Sequence, residues 1–108
     1  MKELLELKRE ALHDLSIIEA KIKAFDDGFD YKVITQVYHN TRYENFTNAI
    51  AAFDWANEFY GDNEFADLYT NNKNSSYLKE NRLTLHGGNI YYCKNIVDAG
   101  NSEKCTEY

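Results

Sequence analysis

Leu4, Leu7, Ala11, Leu15, Ile18, Ile22 and Phe25 recur at spacings of three and four, which predicts one amphipathic helix over residues 2–25. Leu5 and Leu12 widen its apolar stripe. Charges of both signs occupy the other face, with Glu6 near Arg9 and Glu19 near Lys23 at helical spacing. The stripe is long enough either to pack within the domain or to form a helical dimer seam. Asp26-Asp27-Gly28 ends the helix, because glycine accepts the left-handed conformation found after helix termini.

The period then changes from helical to alternating. Tyr31, Val33, Thr35 and Val37 fall on one face, and Lys32, Ile34, Gln36 and Tyr38 on the other, which predicts a strand over 31–38. His39-Asn40 breaks it. Thr41 followed by Glu44 reads as a capping box, opening a second helix over 42–60 with a stripe of Phe46, Ile50, Phe53, Ala56 and Phe59 or Tyr60. Ala52 and Trp55 broaden that stripe, and Gly61 closes the helix. Residues 62–69 fit a short helical turn and 70–76 a polar loop. Arg82–His86 alternates, Gly87-Gly88-Asn89 turns and Ile90–Val97 returns, the pattern of a hairpin. Residues 98–108 read as a polar tail.

These elements predict a single α+β domain spanning 1–108, in the order α-β-α-β-β. Two helices would pack on a small antiparallel sheet of about three strands. A chain of 108 residues suits one domain with one modest core.

Charge narrows the choice of partner. The net charge is −6, and residues 25–70 hold nine acids against Lys32 and Arg42. Residues 1–24 balance five acids with five bases. Such acidity argues against direct nucleic-acid binding and against an anionic membrane surface. It suits a basic protein partner, or a small neutral or cationic ligand. The charged, helical start lacks the apolar run of a signal peptide, so a cytoplasmic protein with reduced thiols is expected. A Cys93–Cys105 bridge would instead close a short loop and tie down the tail.

Candidate chemistry is sparse. His13, His39 and His86 lack metal-ligand spacing, and the cysteines stand twelve apart, so neither a metal nor a cofactor is expected. A Cys93–His86 pair has no third group, and the chain is read as non-enzymatic. Asp54 and Glu58 share a helix face but imply no pocket, and the Asp62, Glu64 and Asp67 that follow lack calcium-loop spacing. Gathered on one surface, these five acids would form a field that occupies a basic groove, with Trp55, Tyr60 or Tyr69 as anchors. The nine tyrosines exceed what a small core can bury. Arg42, Arg82, Lys94, Tyr91 and Tyr92 are therefore candidates for an alternative reading, a pocket at an oligomer interface that sequesters a small molecule such as a nucleotide signal.

In composition the chain resembles small accessory proteins of bacteriophages: short, acidic, rich in Asn and Tyr, and free of proline. That resemblance implies an inhibitor of a host defence or nucleic-acid-processing protein, acting in the host-cell cytoplasm on a basic host protein. A homodimer formed through residues 2–25 is the third expectation.

Overall fold

The computed structural model describes residues 1–58, 65–74 and 89–107. Among them the elements run α1 (Lys2–Ala24), β1 (Tyr31–Val37), β2 (Asn40–Phe46), α2 (Ala49–Asn57), β3 (Phe65–Thr70), β4 (Ile90–Tyr92) and β5 (Thr106–Glu107), with a 3-10 turn at Ile96–Asp98. The class is α+β, with two helices and a five-stranded mixed sheet ordered β2-β1-β3-β4-β5. β3 and β4 run parallel, and the other pairs are antiparallel.

The first strand follows the alternation in the sequence. Tyr31, Val33 and Thr35 are buried, and Tyr31 and Val33 join Ala66, Leu68, Ala52, Phe53 and Ala56 in a core between the sheet and α2. The small alanines of α2 bring its backbone close to the sheet, and Phe53 fills the remaining space. The Tyr31 hydroxyl donates to Asp27 Oδ2 at 2.8 Å and accepts from Asn72 Nδ2 at 2.7 Å, so a polar tip reaches this core without an unsatisfied group.

Several segments differ from expectation. Residues 40–46 are a strand, not the start of a helix. Val37 pairs with Asn40, so Tyr38 and His39 form a two-residue hairpin loop, with Tyr38 at φ 55°. Thr41 and Glu44 therefore sit on an edge strand, and the real cap is Asn48, whose side chain accepts from the Ala51 N–H. Residues 65–70 are a strand rather than a helical turn, because Ala66, Leu68 and Thr70 alternate into the core beside β1. Ile90–Tyr92 pairs with β3 and β5; the Arg82–His86 arm and Gly87-Gly88 lie outside the described residues. The sheet is thus mixed, not purely antiparallel.

The polar tail is in fact a second layer. Cys93 and Cys105 are joined by a disulfide, which overturns the expectation of reduced thiols. Closing a loop this short removes about 3 kcal/mol of unfolded-state entropy in the chain-entropy picture. Tyr69, Cys93 and Cys105 are buried with Ile34, Tyr91, Ile96 and Ala99 on the sheet face opposite α2. Gly100, at φ 94°, permits this approach: a Cβ there would stand 3.0 Å from Ile34 Cδ1.

α1 stands apart from both layers. None of its 23 residues is buried, and it extends the molecule to 57 Å along its longest axis. Among the described residues, it is the C-terminal end of α1 that is tied down. Asn48 Nδ2 donates to the carbonyls of Ile22 (2.6 Å) and Phe25 (3.0 Å), and Thr47 Oγ1 donates to the Phe25 carbonyl at 2.7 Å. A salt bridge joins Lys23 to Glu44 at 2.6 Å. Asn48→Ala removes three hydrogen bonds at a buried site, two of them to α1 and one capping α2. Urea denaturation of this variant should show a loss of about 2–3 kcal/mol, against almost none for Asn45→Ala on the edge strand.

Candidate functional site

Where α1 meets α2, three acids gather around an aromatic floor. Glu19 projects from α1, and Asp54 and Glu58 from α2 and its C-cap, around a groove of about 250 Å³ that Trp55 and Phe46 also line. The Phe46 and Trp55 rings lie 5.9 Å apart at 51°. Lys23 stands 5.8 Å from the Phe46 ring while paired with Glu44, so it borders the groove as a neutralised cation. Asp54, Glu58 and Trp55 thus line one groove. Glu19 and Phe46 complete the site from elements that no local spacing links to α2.

On the other side of α1's last turns an apolar groove of about 260 Å³ runs between Ile18, Ile22, Phe25 and Ile50. Ile50 was expected in the core, but it is 44% exposed and extends the α1 stripe onto α2. The stripe itself is open to solvent along its length, with Leu4, Leu7, Leu15 and Ile18 all exposed. Contiguous apolar surface on this scale marks an interaction site more often than a passive face.

The single acidic field expected from residues 54–67 does not form among the described residues. Asp67 lies on β3 with its side chain on the sheet face away from α2, beside Ile34 in register, so the sheet separates it from Asp54 and Glu58. Tyr69, on the same side, is buried and stacked on Tyr91 at 4.8 Å, so it is a packing residue rather than an exposed anchor. Asp62, Glu64 and Tyr60 lie outside the described residues. Four other central acids are engaged locally. Asp26 accepts from the Gly28 N–H, and Asp27 accepts from Phe29 N–H, Ala49 N–H and the Tyr31 hydroxyl. Asp30 accepts from Asn71, and Glu44 pairs with Lys23.

The alternative ligand residues also divide. Arg42 sits on edge strand β2, separated from β4 by β1 and β3. Arg82 lies outside the described residues. Tyr91 is committed to the stack on Tyr69. Tyr92 and Lys94 do share a cavity, of about 520 Å³, with Lys73 and Lys104. Among the described residues no group of histidines, cysteines and carboxylates is placed to hold a metal ion, and no helix is long and apolar enough to cross a membrane. No family model, no curated protein and no solved structure matches this chain.

Burial moves two ionisations on the sheet face opposite α2. The Tyr69 phenol is pushed up to about 12, mainly by burial and further by Asp67 and Tyr91. Burial raises the Asp67 carboxyl above its ordinary value. The native state then holds the Asp67 proton more tightly than the unfolded chain does. This contribution is fully present below the unfolded value and is lost as pH rises through the folded one. Asp67→Asn, neutral at every pH, should therefore be more stable than wild type at neutral pH. Urea denaturation should show that advantage shrinking on acidification through the carboxylate range.

Proposed function

We propose that this chain is a non-catalytic protein-binding module that docks through α1 and the grooves flanking its junction with α2. The observation that carries the reading is a 23-residue amphipathic helix with no buried residue. A soluble helix of this kind normally places its apolar stripe against a core. Here the stripe is held out from the body by a polar tether at one end.

A second copy of the chain is the occupant that the charges favour. In an antiparallel pair with Ala11 of one copy level with Leu15 of the other, Leu7 meets Ile18 and Leu4 meets Ile22. The same register sets Lys8 near Glu19 and Glu3 near Lys21, each pair occurring twice by symmetry. Glu10 and Asp14 are the one like-charged pair. α1 carries no net charge in a chain of −6, so pairing here avoids the repulsion that other faces would meet. Antiparallel pairing also places the two bodies at opposite ends, and it brings Leu4 of the partner to the groove between Ile22, Phe25 and Ile50.

A second reading rests on Glu19, Asp54 and Glu58 around Trp55. That groove suits a lysine- or arginine-bearing segment of a basic protein, with Trp55 as the aromatic contact. In this reading the chain inhibits a host defence or nucleic-acid-processing protein, as a phage or mobile-element product acting in the cytoplasm.

Sedimentation at tens of micromolar should show a dimer for the wild type. A Leu7→Glu/Ile18→Glu variant should be a monomer whose body unfolds at the same urea concentration, because neither residue is buried in the isolated chain. A wild-type monomer would remove the dimer. For the second reading, a basic partner recovered from lysate at low salt should be released at moderate salt. An Asp54→Lys/Glu58→Lys variant should fail to recover it, and capture that ignores both salt and charge reversal would contradict the reading.

A further inference from the structure

β2 forms one edge of the sheet, and its main chain is open along one side. The order β2-β1-β3-β4-β5 gives it a single neighbour, β1. The two-residue loop at Tyr38 and His39 closes on a hydrogen-bonded pair, Val37 with Asn40, and such pairs then recur at every second position. Arg42 and Glu44 therefore bond to β1, whereas the N–H and C=O groups of Thr41, Tyr43 and Asn45 point outward. Among the described residues no group bonds to them. Natural edge strands are shielded by bulges, prolines, lysines or a short run. β2 keeps an unbroken register over 7 residues and has none of these.

Its side chains fit a second copy of the same strand. In an antiparallel pair centred on Tyr43, Thr41 lies opposite Asn45 of the other copy, and every outward main-chain group meets a complementary one. Between these pairs, Arg42 of each copy stands opposite Glu44 of the other, at the closer spacing of positions that are not hydrogen-bonded. Arg42 has no carboxylate partner in its own chain among the described residues. Lys23 bonds to Oε1 of Glu44, so Oε2 can accept from the second cation. Sliding the pair by two residues either way sets Arg42 against Arg42 or Glu44 against Glu44. Like charges directly opposite destabilise a strand pair, so the charges select the register centred on Tyr43. There the Tyr43 ring, 64% exposed and 4.6 Å from the Lys32 ammonium, meets the same ring of the other copy. The acid and the base of β2 cancel, so this edge approaches its copy without the repulsion expected between chains of −6.

We propose that β2 is a second self-association surface, through which two copies join their sheets edge to edge around Tyr43. The proposal does not rest on the α1 reading. So short a ladder buries little area, which makes this the weaker contact, with a Kd on the order of several hundred micromolar. Where both surfaces act, two separate twofold contacts on one chain join pairs end to end into longer assemblies.

The test uses the Leu7→Glu/Ile18→Glu chain, in which α1 cannot pair, so failure of the α1 reading leaves it intact. Sedimentation equilibrium should move from monomer toward dimer as that chain is concentrated from about 30 μM to about 1 mM. Over the same range, hydrogen exchange followed by NMR should slow at the Thr41, Tyr43 and Asn45 amides. Arg42 and Glu44, bonded within each chain, should be protected throughout. Adding Arg42→Glu should hold the chain monomeric at about 1 mM. Its circular dichroism should be unchanged, because Arg42 is exposed. Adding Glu44→Arg to that variant should restore pairing with the charges exchanged; the Lys23–Glu44 bridge it removes is a surface pair of small weight. A monomer at the highest concentration, or a dimer in which those three amides exchange as before, would overturn the edge pairing. A dimer indifferent to Arg42→Glu, or one that the exchanged charges do not restore, would overturn the register.

Discussion

The junction of the molecule's two unlike parts is centred on one side-chain amide, with Thr47 and the Lys23–Glu44 salt bridge beside it. Asn48 is buried, and its Oδ1 accepts from the first turn of α2 while its Nδ2 donates to two carbonyls at the end of α1. The start of one helix and the end of another both leave backbone groups unpaired. A single asparagine has the donors and the acceptor to serve both ends. The direction in which α1 leaves the body, and hence the two grooves beside it, depends on that junction.

The sheet divides the rest of the chemistry. On one face α2 covers Tyr31, Val33, Ala66 and Leu68, and its far side presents Asp54 and Glu58 to α1. On the other face the cystine layer covers Ile34 and Tyr69. Successive residues of a strand point to opposite faces, so Asp67 and Leu68 are neighbours in sequence yet belong to different layers. Three features thus occupy separate places: an apolar helix without net charge, an acid-rimmed groove and the outer edge of β2. Binding at one need not exclude binding at another.

The legible parts of the sequence were those whose residues repeat with one regular period. β1 alternates because α2 buries one of its faces, and the stripe on α1 runs along one side of a helix of constant pitch. Residues 40–46 carried no such signal: most of this edge strand is exposed on both sides, so its polar run imitated a helix cap at Thr41 and Glu44. Phe65–Thr70 was hidden for a different reason. Its inward residues Ala66 and Thr70 are small or polar, and only pairing with β1 marks the segment as a strand. Half of the acid-rimmed groove was readable, since Asp54, Trp55 and Glu58 lie on one turn-to-turn path. Glu19 and Phe46 reach it from elements that local spacing cannot connect.

By itself, then, the sequence determined the α+β class, the amphipathic character of α1, the face that β1 buries and the acidity of the middle of the chain. Each follows from the order of side chains along a local backbone of known period. Tertiary structure decided that α1 stays outside the core, that the central acids part across the sheet, and that Cys93 meets Cys105 and draws Lys94 toward Lys104. These outcomes depend on which distant segments pair. That choice is made by the burial and hydrogen bonding of the whole chain, and no short window of residues contains it.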